Sequence, residues 1–162
     1  MPNPQGYSRT QITLHWVVFA LVVAQFVFKD SIAQAWDQFS DGITPAFSLM
    51  VAAHVAGGGA VLLLTLWRLG LRRTRGVPAA PKTDSAPQRM AAHLVHITLY
   101  ALLILMPISG AVAWFGGVGT AADGHGVLKF ALLAVVGLHV VAALWHQYGL
   151  RDGLLKRMMR AG

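Results

Sequence analysis

Four long apolar segments dominate the pattern of hydrophobic and polar positions along the chain. They cover residues 12–28, 47–67, 92–115 and 124–147. Each segment is near the ~20 residues that a helix needs to cross a hydrocarbon core of ~30 Å. None shows the alternation typical of strands, and in lipid only helices or closed barrels satisfy the backbone hydrogen bonds. The pattern therefore predicts an all-α membrane protein, in which residues 1–162 form one bundle of four transmembrane helices.

The connections between these segments differ in charge. Residues 68–91 form a linker with five arginines and one lysine (Lys82), and the tail over 148–162 carries four more basic side chains. The first connection instead has three aspartates and one lysine, and the third has Asp123 alone. Basic segments stay on the cytoplasmic side of a bacterial membrane. We therefore expect a multi-pass protein of the inner membrane with both termini in the cytoplasm.

Two connections carry further local signals. Pro78, Pro81 and Pro87 lie in residues 75–88 of the basic linker, a stretch that we expect to lack regular structure. Trp36 and Phe39 lie in the first connection. Their presence favours a short amphipathic segment at the outer membrane interface.

The composition narrows the chemistry that the chain can support. Hydrophobic residues make up 56% of it and charged residues only 12%, which is too apolar for a soluble protein of this size. There is no cysteine, which excludes disulfides, thiolate zinc sites, iron–sulfur clusters and covalently attached haem. Topology signals and contacts with lipid head groups explain the basic side chains behind the net charge of +7, so nucleic acid is not an expected partner.

Histidines lie inside the apolar segments at two depths. With the predicted topology, His15 falls in the cytoplasmic half of the first helix and His54 in the outer half of the second. The fourth helix carries His125 near the outside and His139 fourteen residues further on, about 21 Å deeper and on the same side of the helix. Each depth thus offers two imidazoles from different helices, as a metal site in a bundle core requires.

Small residues accompany two of these histidines. Gly57 and Gly58 follow His54 at three and four residues, and Ala142 and Ala143 follow His139 at the same spacings. Such positions share the face of the histidine. They can leave room for the edge of a porphyrin, or they can only let two helices approach closely. Beside His54, the pattern favours the porphyrin.

Several short motifs, taken in order, resemble the bacterial cytochrome b561 family of small four-helix membrane proteins. The motifs are Tyr7-Ser8-Arg9, Gln11-Ile12, His15-Trp16, His54, Ala92 to His96, Pro107 with Gly110, Gly137-Leu138-His139 and His146. The resemblance implies two b-type haems, one bound by His15 and His139 and the other by His54 and His125. One departure is that His125 lies between two glycines, unless the fourth helix begins earlier, near Thr120.

Further polar side chains are weaker site candidates. His146 lies two turns after His139 and could replace it as the inner ligand. His93 and His96 share a face of the third helix, where they could relay protons to a quinone, bond a haem propionate or simply be solvated. Lys129 near the outer haem, and Arg9 and Arg68 near the inner one, could pair with propionates or extend to the interface.

The resemblance implies electron transfer across the membrane. Two axial imidazoles leave no open position on a haem iron, which suits electron transfer rather than oxygen binding. Ubiquinone or another quinone of the membrane pool is the expected partner on one side. The donor or acceptor at the periplasmic face is not specified by any motif, and superoxide is one candidate.

Other functions remain open at the level of sequence. The chain could be the cytochrome b subunit of a larger membrane dehydrogenase or hydrogenase, or a homodimer of its own. It could also bind a transition metal without haem, although the four apolar segments contain no acidic residue for a hard cation. Whether the chain is a carrier of electrons or a quinone-linked oxidoreductase is likewise open.

Overall fold

The computed structural model describes Pro4 and residues 6–81 and 84–162, so the predicted role of Lys82 in the basic linker lies outside the described residues. The described chain folds into five α-helices and two shorter helical turns. They are α1 (Arg9–Val27), α2 (Asp30–Ser40), α3 (Leu49–Arg75), α4 (Ala86–Gly116), α5 (Gly119–Leu144), a π-helical turn (Trp145–Leu150) and a 3-10 turn (Leu155–Met158). The prediction of an all-α bundle is confirmed.

The helices extend further into the linker than the sequence pattern indicated. Arginines in the last turn of α3 stabilise the negative end of its dipole, and Gly76 with φ of 77° ends the helix. Ser85 and Gln88 form a capping box that starts α4, with a proline in the first turn. The irregular part of the linker, expected over residues 75–88, is therefore shorter, and the structure describes its residues 76–81 and 84–85.

The helices lie side by side in the order α1, α3, α4, α5, and α2 packs on α3. Within the described residues, neither α1 and α5 nor α3 and α5 are closely packed pairs. Apolar side chains of all four long helices meet in one buried cluster at mid-bundle, which we call the central layer. Its members are Val18, Val61, Leu102, Leu103 and Leu132. The bundle is therefore closed in the middle by the central layer, whereas α5 does not pack closely against α1 or α3.

The outer surface of the bundle is apolar. Four helices of the described chain are long and apolar enough to cross a membrane: Arg9–Val27, Leu49–Arg75, Ala86–Gly116 and Gly119–Leu150. At most 17% of the most apolar stretch of each is buried inside the protein. Large exposed side chains such as Phe115 and Phe130 thus face the region where lipid tails would lie.

One end of the bundle gathers the start of the chain, the α3–α4 connection and the tail. We call it the basic end. Three hydrogen bonds join these segments: Gln11 Nε2 to the Gly76 carbonyl at 3.0 Å, Trp16 Nε1 to the Met158 carbonyl at 2.8 Å, and Arg157 to the Ala79 carbonyl at 2.8 Å. At the opposite end, α2 and the turn between α4 and α5 form the acidic end. The basic and acidic connections of the sequence thus lie at opposite ends of the bundle.

Candidate functional site

A cavity of about 650 Å³ opens near the acidic end and is lined by all five α-helices. We call it the His54 cavity. His54 from α3 and His125 from α5 both line it, and most of the remaining lining is apolar. Its size falls within the range of cofactor sites, which combine apolar walls with a few polar groups. The structure therefore brings together the two histidines that the sequence assigned to the outer half.

The imidazole of His125 is held in one orientation by α4. Its Nδ1 lies 3.0 Å from the Met106 carbonyl oxygen and 3.2 Å from Ser109 Oγ. A carbonyl oxygen can only accept, so Nδ1 carries the proton and donates it to Met106. The other ring nitrogen, Nε2, then keeps its lone pair, as in histidines that bind metals with a second partner behind them.

His54 is the second imidazole of this cavity. Its Nδ1 is buried and has no hydrogen-bond partner among the described residues. The glycines after it have different roles: a methyl group on Gly57 would overlap the amide of Gln25 in α1, whereas one on Gly58 or Gly59 would meet open space. Gly58 and Gly59 also line the cavity. The space beside Gly57 is thus taken by the Gln25 side chain, which agrees with the alternative of close helix approach, whereas Gly58 agrees with room for a ligand.

A second group of histidines lies toward the basic end. The ring centroids of His15 on α1 and His139 on α5 are 6.4 Å apart, and those of His96 on α4 and His139 are 5.5 Å apart. We call these three residues the His139 cluster. Two imidazoles on opposite sides of one metal ion, each bound at about 2 Å, place their ring centroids roughly 6 Å apart. His15 and His139 have the spacing that such a pair needs.

Arg68 from α3 lies beside this cluster. Its guanidinium is 3.0 Å from His15 Nδ1, and it lies 5.7 Å from the ring centroid of Tyr100. Because a guanidinium can only donate, His15 Nδ1 accepts in this arrangement. Arg68 thus contacts a predicted inner ligand, whereas Arg9 and His93, two other candidates, are exposed.

His146 is held in a different environment. It lies in the π-helical turn, where its Nδ1 is 2.5 Å from the Asp152 carboxylate and 4.0 Å from that of Asp84. Burial raises the pKa of Asp152, but hydrogen bonds from His146 and the Leu154 amide outweigh it and hold that pKa below its usual value. The proximity of His15 to His139 supports His139 rather than His146 as the partner of His15.

The family model for prokaryotic cytochrome b561 matches residues 6–161. The chain belongs to the prokaryotic cytochrome b561 family. Cytochrome b562 of Cereibacter sphaeroides is 41% identical over 160 residues, which cover 99% of both chains. The probable superoxide oxidase CybB of Yersinia pestis is 29% identical, with 94% of this chain and 95% of the relative covered. Cytochrome b561 homolog 1 of Escherichia coli is 28% identical, with 94% and 96% covered.

Membership in this family defines the general chemistry of the chain. It is a bacterial multi-pass membrane protein for electron transfer, and the family implies b-type haem.

Sequence reasoning missed three of the groups that the structure adds. Met106 and Ser109 hold His125, and Lys29 lines the His54 cavity together with the predicted Lys129. For Lys29, the signal in the sequence was a single lysine in an otherwise acidic connection. Met106 and Ser109 gave no signal, because residue spacing along one helix does not show which groups of another helix it contacts.

Gly110 offers a test of how His125 is positioned in this cytochrome b561. A methyl group there would lie 3.1 Å from Nδ1 and Cε1 of His125, so the ring must shift and its bond to Met106 weakens. We expect Gly110→Ala to lower the haem content of the purified protein. Gly124→Ala is the matched control, because a methyl group beside His125 at that position meets nothing within 4 Å. Equal haem content in the two variants would show that the position of the ring is not critical.

Proposed function

We propose that this chain conducts electrons across the bacterial inner membrane through two b haems. His15 and His139 bind one haem, and His54 and His125 bind the other. The observation that carries the proposal is the placement of each histidine pair on two helices that are not closely packed, with a buried apolar layer between the pairs. Separated helices leave space for a flat group that closely packed helices would exclude.

The His54 cavity fits a haem in three respects. Its apolar walls suit a porphyrin, and the buried Nδ1 of His54 has no protein partner among the described residues. Gly58 and Gly59 leave open the space that side chains would fill. Lys129 lies in the same lining and can balance the charge of a propionate, and so can Lys29 if it leaves Asp30, 2.7 Å away.

The His139 cluster fits a second haem once Arg68 turns away from His15. A histidine that binds iron through Nε2 carries its proton on Nδ1, and a guanidinium cannot accept that proton. Arg68 is then free to pair with a propionate, which is the role that the sequence suggested for it. His96 lies close enough to His139 to contact the same group, and its ring can exchange protons with a nearby quinone.

A b haem held by each histidine pair would supply a one-electron couple. The chain's own residues hold the rings, exclude water and set the charge around each site. Met106 fixes the orientation of His125, and the mostly apolar lining of the His54 cavity disfavours water there. Burial and hydrogen bonds behind the ligands are the means by which the protein tunes the potential.

We place the basic end in the cytoplasm, in accord with the distribution of Lys and Arg. The relative from Yersinia pestis is a probable superoxide oxidase, and we extend that activity to this chain. At the periplasmic side, two superoxide anions would each lose one electron and leave as two molecules of O₂. The two electrons, together with two protons from the cytoplasm, would convert one quinone of the membrane pool into a quinol.

Visible spectra and a haem count of the detergent-purified protein test the proposal. We expect about two haems per chain, with the sharp reduced bands of six-coordinate b haem and no change on adding carbon monoxide. Superoxide generated in the presence of a soluble quinone should then produce quinol at a rate proportional to the amount of protein. A folded but colourless protein would contradict the haem proposal. A coloured protein that produces no quinol would contradict only the assignment of partners.

A further inference from the structure

A cluster of two carboxylates and one imidazole lies at the basic end, apart from both histidine pairs. Asp84 comes from the α3–α4 connection, His146 from the π-helical turn and Asp152 from the segment after it. One potential ligand atom of each residue lies within 4.8 Å of those of the other two. Their side chains are only 6%, 15% and 5% exposed, respectively. We call this group the Asp84 cluster.

Asp84 is the unusual member of the cluster. Its Oδ1 is buried and accepts no hydrogen bond from any described residue, and it points toward His146 at 4.0 Å. A buried carboxylate oxygen that the described residues leave without a hydrogen bond is unfavourable, so an additional group is expected beside it. The backbone of Asp84 is held in place, because its N–H donates to the Pro81 carbonyl at 3.1 Å and its own carbonyl accepts from Arg89 at 2.6 Å.

Asp152 presents one oxygen to the same space. Its Oδ1 accepts the Leu154 N–H at 2.9 Å, which fixes the carboxylate and leaves Oδ2 directed at His146. The two carboxylates thus approach one imidazole from two separate segments. A cation placed among the three would satisfy both Asp84 Oδ1 and Asp152 Oδ2.

We propose that the Asp84 cluster binds one divalent transition-metal ion of the Zn²⁺ type. Carboxylate oxygens and imidazole nitrogens both bind zinc, and three such ligands leave a fourth position for water. The single nitrogen and the small number of oxygens disfavour Ca²⁺, which takes six to eight oxygen ligands. Binding replaces the proton that His146 shares with Asp152 and requires a small outward movement of the carboxylate.

The metal would join two segments that are distant in sequence. Asp84 lies just before α4, whereas His146 and Asp152 follow α5. An ion that binds only the folded arrangement stabilises it by mass action. Zinc should therefore raise the unfolding temperature of the protein, and this effect does not depend on haem at the other sites.

Calorimetric titration of the full-length, haem-containing protein with zinc chloride tests this inference. The protein is first treated with EDTA and transferred to metal-free detergent buffer. We expect about one zinc per chain, and at least ~10-fold weaker binding in Asp84→Asn and in Asp152→Asn. Asp41→Asn, at the exposed end of α2, is the matched control and should bind zinc as the unchanged protein does. Unchanged haem spectra in all three variants would show that the fold is intact.

Two outcomes would overturn the proposal: zinc affinity that is the same in Asp84→Asn as in Asp41→Asn, or no binding by the unchanged protein. If the aspartate variants fail to fold, zinc-edge X-ray absorption of the unchanged protein decides instead. A zinc ion bound by one imidazole and otherwise by oxygen donors supports the site. Two or more imidazoles would assign the zinc to other histidines and refute it.

Discussion

Replacing His139 by alanine is expected to remove one of the two proposed haems and leave the other in place. The haem content should fall from about two to about one per chain, because a haem held by two imidazoles loses half of its axial ligands. His15→Ala should remove the same haem, since its ring centroid lies 6.4 Å from that of His139. The remaining spectrum and midpoint potential should be the same in both variants. Redox titration of the purified variants measures all of these quantities.

His146→Ala is the matched control for this experiment. It is seven residues further along the same helical segment, yet its Nδ1 contacts carboxylates rather than another histidine. We expect it to keep about two haems per chain, because the His139 cluster is intact. If His146→Ala loses a haem and His139→Ala does not, the inner ligand is His146 and the assignment of His139 is wrong.

Filling the His54 cavity is the second change with a large expected effect. Gly58 lines the cavity, and a methyl group there meets nothing within 4 Å, so Gly58→Leu should place its side chain in the open space. We expect this variant to lose the haem of His54 and His125 while it keeps the haem of His15 and His139. The haem-free fold should not be weakened, because leucine is a good helix former, whereas glycine is roughly 0.8–1 kcal/mol less favourable in a helix than alanine.

Gly70→Leu separates exclusion of haem from a general effect of leucine in α3. Gly70 lies in the same helix, and a methyl group there also meets nothing within 4 Å, but Gly70 does not line the cavity. The gain in helix propensity is therefore matched. Haem content and the spectrum of each variant provide the measurement. Normal haem content in Gly58→Leu would show that the cavity is not where the second haem binds.

The sequence predicted the helices better than the contacts between them. Apolar length alone located the four long helices, because lipid allows few other structures. The ends of α3 and α4 were missed by several residues, since arginines and a capping box continued helices beyond the apolar segments. Such polar turns are stabilised by local hydrogen bonds and dipoles rather than by burial.

Only those features of the candidate site that follow from helical periodicity could be predicted from the sequence. Depth and helical phase predicted His125 and His139 at two levels of α5; in the structure His125 lines the same cavity as His54, and the ring of His139 lies 6.4 Å from that of His15. The Met106 carbonyl behind His125 was not predictable, because a backbone oxygen has no signature in the sequence. The separate environment of His146 also depended on Asp84, which lies 62 positions earlier in the chain.

The central layer has a consequence for protons. Leu132 lies midway between His125 and His139 on α5, and the other members of the layer are apolar as well. Proton hopping requires a continuous series of groups that donate and accept hydrogen bonds, and these side chains provide none. Electrons could therefore cross between the two histidine pairs while protons stay on the side from which they came. Transfer through this protein would then separate charge and contribute to the membrane potential.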